Sequence, residues 1–376
     1  MRIGIDARCL QRGLGGGTAR VLYSLLKEWS RCGQANEYIL YFDDLKSSLF
    51  DLSGLGPEFI CREVRWPKIL RRLPMSGIVW QQLSLLARLL RDRVDIFYSP
   101  YYSMPLFYPG KKCVVVHDIS YHTLRQEYPR KEMISDLLSR LSCSLATLII
   151  TDSEASKKEI VDHYHVPAGK IAVIPCGIDK PANMLGESRS PEAISGRYAL
   201  YVGTMFNRRH VVELIRAWDA RLAQDKKVRL VLVGRNATRP RADLVAMIDE
   251  INRRHGGQYV IHHEFVNDEE LNTLYAGCSV FIYLSTYEGF GLPPLEAMLH
   301  DKPVIVGNAD VFKEVIGQAS LMVDPKQQKE ILEAVGRALN EPGLASSMVA
   351  QGRQVVEKLS WVRAARLYLE RFYEIV

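Results

Sequence analysis

Short apolar runs rich in β-branched and aromatic residues alternate along the chain with longer stretches whose apolar positions recur at helical spacing. The short runs predict buried strands, and the longer stretches predict amphipathic helices. The predicted strands cover residues 2–6, 38–42, 95–98, 113–116, 148–151, 171–174, 198–202, 230–233, 259–261, 279–284 and 304–306. Strands that alternate with helices favour parallel sheets, so the pattern predicts an α/β chain of doubly wound, Rossmann-like domains.

The hydrophobic pattern is interrupted near the middle of the chain. Residues 180–197 are rich in Pro, Gly, Ser and charged side chains, which is typical of a linker. The 376 residues are enough for two domains, each with its own core. We therefore expect a domain over 1–182, a second domain over 195–359, and a final amphipathic helix over 360–376.

One stretch combines a predicted strand, a glycine loop and a short helix. After the apolar run 279–284 come Gly289, Phe290 and Gly291, and Leu292 then opens a helix in which Pro293 and Pro294 suit the first turn. The two glycines allow the backbone to turn tightly and approach a ligand closely. The N–H groups of Gly291 and Leu292 are expected at a helix N-terminus, where a phosphate binds well.

Two carboxylates bracket this loop. Glu288 precedes it and Glu296 lies within the helix, and each can accept two hydrogen bonds from a vicinal diol. A diphosphate between two diols describes a nucleotide sugar, with ribose on one side and hexose on the other. The alternative is an ordinary strand, loop and helix, in which Glu288 caps the backbone and Glu296 is solvated.

Glu288 and Glu296, with Gly-Phe-Gly-Leu-Pro-Pro between them, resemble the E-x7-E motif of the retaining glycosyltransferases of family four. The resemblance implies the GT-B fold, which has two Rossmann-like domains, an interdomain cleft and a last helix that returns to the first domain. It also implies that Glu296 holds the ribose and Glu288 the transferred sugar. The resemblance extends over nearly the whole chain.

A second segment of the resemblance follows the strand-end glycine at 203. Arg208 matches an arginine of the family, while Arg209 stands where the family has lysine. Two cations directly after a strand predict diphosphate binding, although arginine binds phosphate as a fork and lysine as a point charge. The alternative is a solvated, basic helix start.

The remaining candidate positions come from the family as well. Gly16 and Gly17 match a glycine loop that lies near the donor diphosphate and the acceptor, and the backbone near Val266 matches the contact to the base. His117 follows the predicted strand 113–116 and matches a histidine that contacts the donor sugar. Its neighbour Asp118 is a weaker candidate, and a histidine that binds only backbone is the alternative.

Charge and composition limit the partners. Residues 1–182 carry 25 Lys and Arg against 19 Asp and Glu, a net +6, whereas residues 183–376 carry 24 of each. The excess is too diffuse to predict nucleic-acid binding, but it is compatible with an acidic acceptor or an anionic membrane surface. The stretch Arg62–Arg93 is basic and partly amphipathic, which fits either helix packing inside the domain or adsorption to lipid.

Seven scattered cysteines without a C-x-x-C pair, together with a start that enters a strand directly, favour the cytoplasm. The chain contains no D-x-D sequence, so no metal site is expected and cations and helix dipoles are expected to neutralise the leaving diphosphate. No covalent nucleophile stands out.

The sequence thus predicts a metal-independent, retaining hexosyltransferase without a cofactor that acts on a nucleotide sugar, with GDP-mannose as the first candidate because 199–209 resembles bacterial mannosyltransferases. The expected acceptor is a growing or polyprenyl-linked glycan at the inner face of the cytoplasmic membrane. A GT-B nucleotide-sugar epimerase and a non-catalytic nucleotide-sugar-binding subunit are the two alternatives.

Overall fold

The computed structural model describes residues 1–11, 16–32, 36–48, 50–67, 75–129, 133–179, 194 and 196–376. The predicted linker 180–197 therefore lies almost wholly outside the described residues, as do Lys68, Arg71 and Arg72 of the basic stretch. The chain forms two compact units. Unit 1 contains Met1–Thr123, Arg130–Gly177 and Ser360–Val376, and unit 2 contains Leu124–Pro129 and Ile178–Leu359.

Unit 1 is built on a sheet in which all described pairings are parallel. Its strands are β1 (Arg2–Asp6), β2 (Glu37–Phe42), β3 (Phe59–Glu63), β4 (Ile96–Ser99), β5 (Lys111–Val115), β6 (Leu148–Thr151) and β7 (Ile171–Val173), in the order β3-β2-β1-β4-β5-β6-β7. The apolar runs predicted β1, β2 and β4 to β7 within about two residues. The short strand β3 was not predicted, because its sequence Phe-Ile-Cys-Arg-Glu ends in the two charges that open the basic stretch.

The helices of unit 1 are α1 (Gly17–Arg31), α2 (Ser76–Val79, continued by the π-helical Trp80–Leu85 and by Leu86–Asp92), α3 (Ser120–Thr123), α4 (Met133–Leu145), α5 (Glu154–Tyr164) and, from the end of the chain, α13 (Trp361–Ile375). Single 3-10 turns lie at Arg8–Leu10, Leu45–Ser47 and Ala168–Lys170.

The packing of α2 distinguishes between the two interpretations of the basic amphipathic stretch. Trp80, Leu85 and Leu89 are fully buried in the core of unit 1, and the Trp80 indole donates to the Val64 carbonyl over 2.8 Å. The inner face of this helix is therefore a packing face. Its outer face still exposes Leu83 and Leu90.

Helix α13 packs against α1 in unit 1 through an aromatic cluster. Trp29 of α1 stacks on Tyr38 and meets Tyr368 and Phe372 of α13. The Trp29 indole also donates to the Ala365 carbonyl over 3.0 Å. The final amphipathic helix is thus part of the core of the domain where the chain starts.

Unit 2 contains the second sheet, which is parallel in all described pairings. Its strands are β8 (Arg197–Val202), β9 (Val228–Val233), β10 (Val260–His263), β11 (Val280–Tyr283), β12 (Val304–Val306) and β13 (Leu321–Met322), in the order β10-β9-β8-β11-β12-β13. Its helices are α6 (Val211–Leu222), α7 (Leu244–His255), α8 (Asp268–Gly277), α9 (Leu292–Leu299), α10 (Asp310–Val315), α11 (Gln328–Asn340) and α12 (Pro342–Glu357). Single 3-10 turns lie at Arg125–Glu127, Asn207–Arg209 and Gly317–Ala319.

Local sequence signals define the starts of several helices. Asn267 caps α8 in a reciprocal capping box with Glu270, and Ser153 caps α5. The two prolines 293 and 294 occupy the first turn of α9. His262 Nε2 donates to the Gly234 carbonyl over 2.8 Å, which gives this histidine a structural role.

Candidate functional site

The loop between β11 and α9 lies at the carboxyl edge of the second sheet. Gly291 is the N-cap of α9 with φ +91°, and a Cβ at this position would lie 2.5 Å from the Phe312 ring. Glycine is therefore required here both by conformation and by space. Phe290 is buried beneath the loop, and the Leu292 amide opens the helix. The loop is thus held in one conformation next to a helix N-terminus.

Glu288 lies at the start of this loop in a buried ion pair. Its carboxylate accepts from Arg209 through Nε at 2.7 Å and Nη2 at 3.1 Å, and the Tyr283 hydroxyl donates to it over 2.9 Å. Burial raises the pKa of the Glu288 carboxyl, but Arg209 and the hydrogen bonds lower it by more, so the pKa is below its ordinary value. The carboxylate is therefore ionised at neutral pH.

The Arg209 guanidinium is fixed from several sides. It also donates to the Thr204 carbonyl over 2.8 Å and lies 5.2 Å from the centre of the Tyr283 ring. Gly203, at φ +142°, lies directly beside it, since a Cβ there would be 3.1 Å from Nη1. A forked cation is thus positioned at the carboxyl end of β8, where the sequence predicted a phosphate ligand.

Arg208 has a different set of contacts from its neighbour. Its amide donates to Glu127 over 2.8 Å, and its guanidinium donates to Glu127 over 3.0 Å and to the Tyr128 hydroxyl over 3.2 Å. Both side chains of the ion pair are 6% exposed. The Arg208 carbonyl accepts from the Thr286 amide over 2.9 Å. Arg208 therefore connects a buried carboxylate to the loop that carries Glu288, rather than presenting its charge to solvent.

Glu296 and Val266 complete the candidate positions on unit 2. Tyr275 donates to the Glu296 carboxylate over 2.8 Å, and burial raises the pKa of this tyrosine well above its ordinary value, with a further rise from the Glu296 charge. Val266 is largely buried between β10 and the cap of α8, and Gly289 is buried in the loop. These residues all follow the carboxyl ends of strands of the second sheet.

Unit 1 contains its own polar cluster at the carboxyl ends of β5, β6 and β7. His117 Nδ1 lies 2.6 Å from the Asp152 carboxylate, whose other oxygen accepts from the Cys176 thiol over 3.3 Å. A carboxylate partner fixes Nδ1 as the protonated nitrogen and leaves Nε2 to bind a ligand. Within the described residues, Nε2 is buried and has no hydrogen-bond partner.

The charge of Asp152 controls the protonation of His117. Burial opposes the charged imidazole, but the Asp152 charge and hydrogen bond outweigh it, so the pKa of His117 is raised. The neighbouring Asp118 has a local role, because its carboxylate accepts from the Ser120 amide over 2.8 Å at the start of α3.

Gly16 and Gly17 are the described end of the predicted glycine loop, and residues 12–15 lie outside the described residues. Gly16 is the N-cap of α1 with φ +144°, and both glycines are exposed. This backbone leaves the N-terminus of α1 accessible at the carboxyl edge of the first sheet. The structure at Gly16 and Gly17 is therefore compatible with the expected binding of an anionic group.

Several partners of the candidate residues were not identified from the sequence. Tyr283 belongs to an apolar run that predicted only a strand, and Glu127 lies 81 residues before Arg208. The position of Asp152 in the sequence does carry a signal, because Asp152 follows β6 just as His117 follows β5, and these two strands are neighbours. A polar residue at the end of an adjacent parallel strand is the signal that would identify it.

Family models match both halves of the chain. The model described as glycosyl transferases group 1 matches residues 187–355, and the model described as glycosyltransferase family 4 matches residues 15–180. Within the described residues, no helix is long and apolar enough to span a bilayer.

Curated relatives of the chain include mannosyltransferases. The O-antigen chain mannosyltransferase B of Escherichia coli is 31% identical over 281 residues, which cover 72% of each protein. A serotype-specific mannosyltransferase WbdA of Escherichia coli is 24% identical over 282 residues, which are 71% of this chain but only 34% of that longer protein.

Solved structures establish the fold. The sucrose-phosphate synthase of Thermosynechococcus elongatus superimposes with a TM-score of 0.74 at 18% identity, covering 100% of this chain and 98% of that one. The predicted pair of Rossmann-like α/β domains of the GT-B class is therefore confirmed.

The Glu127–Arg208 pair predicts a strong effect of a nearly isosteric change. Glu127→Gln should lower the free energy of unfolding of unit 2 by about 3–5 kcal/mol, since it leaves a buried guanidinium without its counter-charge. Chemical denaturation should show the loss. Glu341→Gln is the matched control, because Glu341 pairs with Arg337 where both side chains are 52% exposed, and it should cost at most about 1 kcal/mol. Equal effects of the two substitutions would show that the buried pair does not hold this segment.

The His117–Asp152 pair predicts a defined response to pH. Because its pKa is raised in the folded protein, His117 contributes stability at low pH that is lost as the pH rises through the folded-state pKa. Asp152→Asn should lower the pKa of His117, since the effect of burial is then opposed only by the weaker influence of the Asp118 charge. Histidine NMR titration of both proteins measures this, and the same His117 pKa in both would contradict the assignment.

Proposed function

Since the chain belongs to the glycosyltransferase family of these relatives, we propose that it transfers mannose from GDP-mannose to a glycan acceptor with retention of configuration. Two mannosyltransferases among its relatives support the sugar, and the resemblance of the segment 199–209 to bacterial mannosyltransferases supports GDP-mannose as the donor. The family resemblance supports retention, and the absence of a D-x-D sequence supports independence of metal.

The observation that most supports the proposal is the buried set of Arg209, Glu288 and Tyr283 beside the start of α9. We assign the diphosphate to Arg209 and the amides of Gly291 and Leu292. As the glycosidic bond breaks, negative charge grows on the diphosphate, and a fixed cation next to a helix N-terminus stabilises that charge without rearranging solvent.

Two carboxylates, which accept hydrogen bonds but do not donate them, are assigned to the two sugars of the nucleotide sugar. The ionised Glu288 carboxylate accepts from hydroxyls of the hexose, and Glu296 accepts from the ribose diol. Phe290 and Gly289 shape the loop between them, and the backbone at Val266 contacts the base. A ligand at Glu288 competes with part of its pairing to Arg209, so donor binding redistributes these hydrogen bonds between protein and substrate.

The first unit is assigned the remaining roles. His117 donates or accepts at Nε2 toward the transferred sugar, oriented by Asp152, and Gly16 and Gly17 approach the diphosphate and the acceptor. Arg208 receives a positioning role through Glu127 and Thr286 in place of direct phosphate binding. No side chain is assigned as a covalent nucleophile.

The proposed acceptor is a growing or polyprenyl-linked glycan presented at an anionic membrane surface. The O-antigen relative and the net charge of +6 over residues 1–182 support this acceptor class. Each basic residue near such a surface contributes about 1 kcal/mol of attraction. In the described part of the basic stretch, Arg62 pairs with Asp92 and Arg65 pairs with Glu63, so attraction there is partly offset.

The function is tested by incubating the protein with labelled GDP-mannose, UDP-glucose or a dTDP-sugar, with and without lipid-linked glycan acceptors. Acceptor-dependent release of GDP, unchanged in EDTA, and an α-linked product are expected, with Glu288→Gln strongly reduced. Conversion of the donor sugar without an acceptor would identify an epimerase. Binding without turnover would identify a non-catalytic subunit, and transfer only from UDP or dTDP donors would refute the assignment of the donor.

Arg209→Ala should weaken GDP binding by about 1.5–3 kcal/mol, the scale of a charged hydrogen bond, since it removes a cation and leaves Glu288 to repel the diphosphate. Arg209→Lys should retain part of the affinity, because the point charge remains without the fork. Calorimetry measures both, with Arg216→Ala on the exposed side of α6 as the control. Unchanged affinity in Arg209→Ala would remove Arg209 from the phosphate site.

A further inference from the structure

Helix α4 exposes most of its large apolar side chains and buries several polar ones, unlike an ordinary surface helix. Its outward side carries five large apolar residues that are between 40% and 57% exposed, namely Met133, Ile134, Leu137, Leu141 and Leu145. Its inward side carries four buried polar residues, Ser135, Asp136, Ser139 and Ser142, beside the buried Leu138 and Cys143. A helix at a domain surface normally buries its apolar stripe, so this arrangement requires an explanation.

This orientation of α4 is fixed by hydrogen bonds within unit 1. The Tyr164 hydroxyl donates to Asp136 over 2.9 Å, and His122 Nδ1 lies 3.2 Å from the other carboxylate oxygen. Further along the helix, Ser142 accepts from the Met104 amide over 3.2 Å. Rotating the helix to bury its exposed leucines would break these bonds and bring Asp136 and Ser142 to the surface. The exposed apolar side is therefore a property of the folded domain.

Segments that are linked by hydrogen bonds to the inward side of α4 also expose apolar side chains. Helices α2 and α4 and the loop at Met104 contribute to the same core cluster, and therefore cover the same face of the sheet. Gln82 donates to the Met104 carbonyl and accepts from the Leu106 amide, each over 2.9 Å. Next to these anchors, Leu83 is 61% exposed and Phe107 is 82% exposed.

The charged residues of α2 and α4 also differ between the buried and the exposed sides of these helices. The acidic residues of α2 and α4, Asp92 and Asp136, have side chains that are only 8% exposed and are bound to partners within the domain. The exposed charged side chains on these helices in the described structure are the cations Arg91 and Arg140. The outer surface thus combines aliphatic side chains with positive charge and turns its carboxylates inward.

We propose that α4, together with Leu83 and Phe107, forms a lipid-binding surface that seats in the interface of an anionic bilayer. Aliphatic side chains flanked by cations complement the acyl boundary and the anionic headgroups of such a bilayer. The choice of a membrane as the partner rests on the proposed function. The lipid-binding surface adds a hydrophobic contact to the electrostatic attraction proposed there. It places the acceptor-binding half of the chain against the surface that presents a lipid-linked glycan.

The test measures vesicle binding without donor or acceptor, so that it is independent of transferase activity. The protein is sedimented with phosphatidylglycerol-containing vesicles and with phosphatidylcholine vesicles, at low and high salt. Wild-type protein should bind the anionic vesicles and should keep a measurable fraction of that binding at high salt, because salt screens charges but not apolar contacts.

Leu137→Ser combined with Leu141→Ser should lower the partition coefficient at least tenfold. Val245→Ser combined with Val362→Ser is the matched control, since these two valines are 63% and 59% exposed and lie outside the surface. Thermal melts of both double variants should match the wild type, because only exposed side chains change.

A complementary measurement places a probe in the surface. Leu141→Trp should show a blue shift of the fluorescence difference from wild type on adding anionic vesicles, whereas Val245→Trp should not. Equal partitioning of wild type and Leu137→Ser/Leu141→Ser, or no binding of wild type, would overturn the proposal. A dimer in sedimentation velocity that the same double variant dissociates would instead assign the surface to a second copy of the chain.

Discussion

The arrangement of the second unit depends on how two adjacent arginines are neutralised. Arg208 and Arg209 follow one strand, and each is paired with a different buried carboxylate, Glu127 and Glu288. Burying a charge is costly unless its partner has good geometry, and both pairs meet this condition with two hydrogen bonds each. Because the Arg208 carbonyl also binds the Thr286 amide, the two pairs are linked through the loop that carries Glu288. Disturbing one carboxylate therefore affects the position of the other.

The two pairs have different consequences for a ligand. Glu127 and Arg208 are both 6% exposed, so their interaction is internal and positions the loop. Arg209 is 14% exposed beside the N-terminus of α9, and its guanidinium retains access to an anion that approaches the carboxyl edge of the sheet. A cation already held by a carboxylate binds a diphosphate with less loss of side-chain entropy than a mobile one. The same carboxylate, however, limits the affinity that the cation can supply.

Residue spacing predicted what depends on neighbours along the chain, and missed what depends on distant ones. The run before Ser285 and the prolines of α9 are local signals, and each produced the expected element. Glu127 lies in a short segment between two helices of the first half and yet belongs to the second unit. No periodicity carries that information, because the pairing is decided by which buried guanidinium needs a counter-charge. The basic stretch was similarly ambiguous until the burial of Trp80 separated its packing face from its outer face.

Helix α4 shows why an amphipathic pattern alone does not assign an inner and an outer face. Its sequence alternates leucines with serines at helical spacing, and an ordinary assignment would bury the leucines. The deciding groups lie elsewhere: Tyr164, His122 and the Met104 amide satisfy the polar side from within the domain. Once a carboxylate is held inside by such partners, the apolar stripe has no remaining position except the surface. A domain with this arrangement presents apolar side chains to whatever lies outside it, and the inward placement of Asp92 and Asp136 makes an anionic surface the electrostatically favoured one.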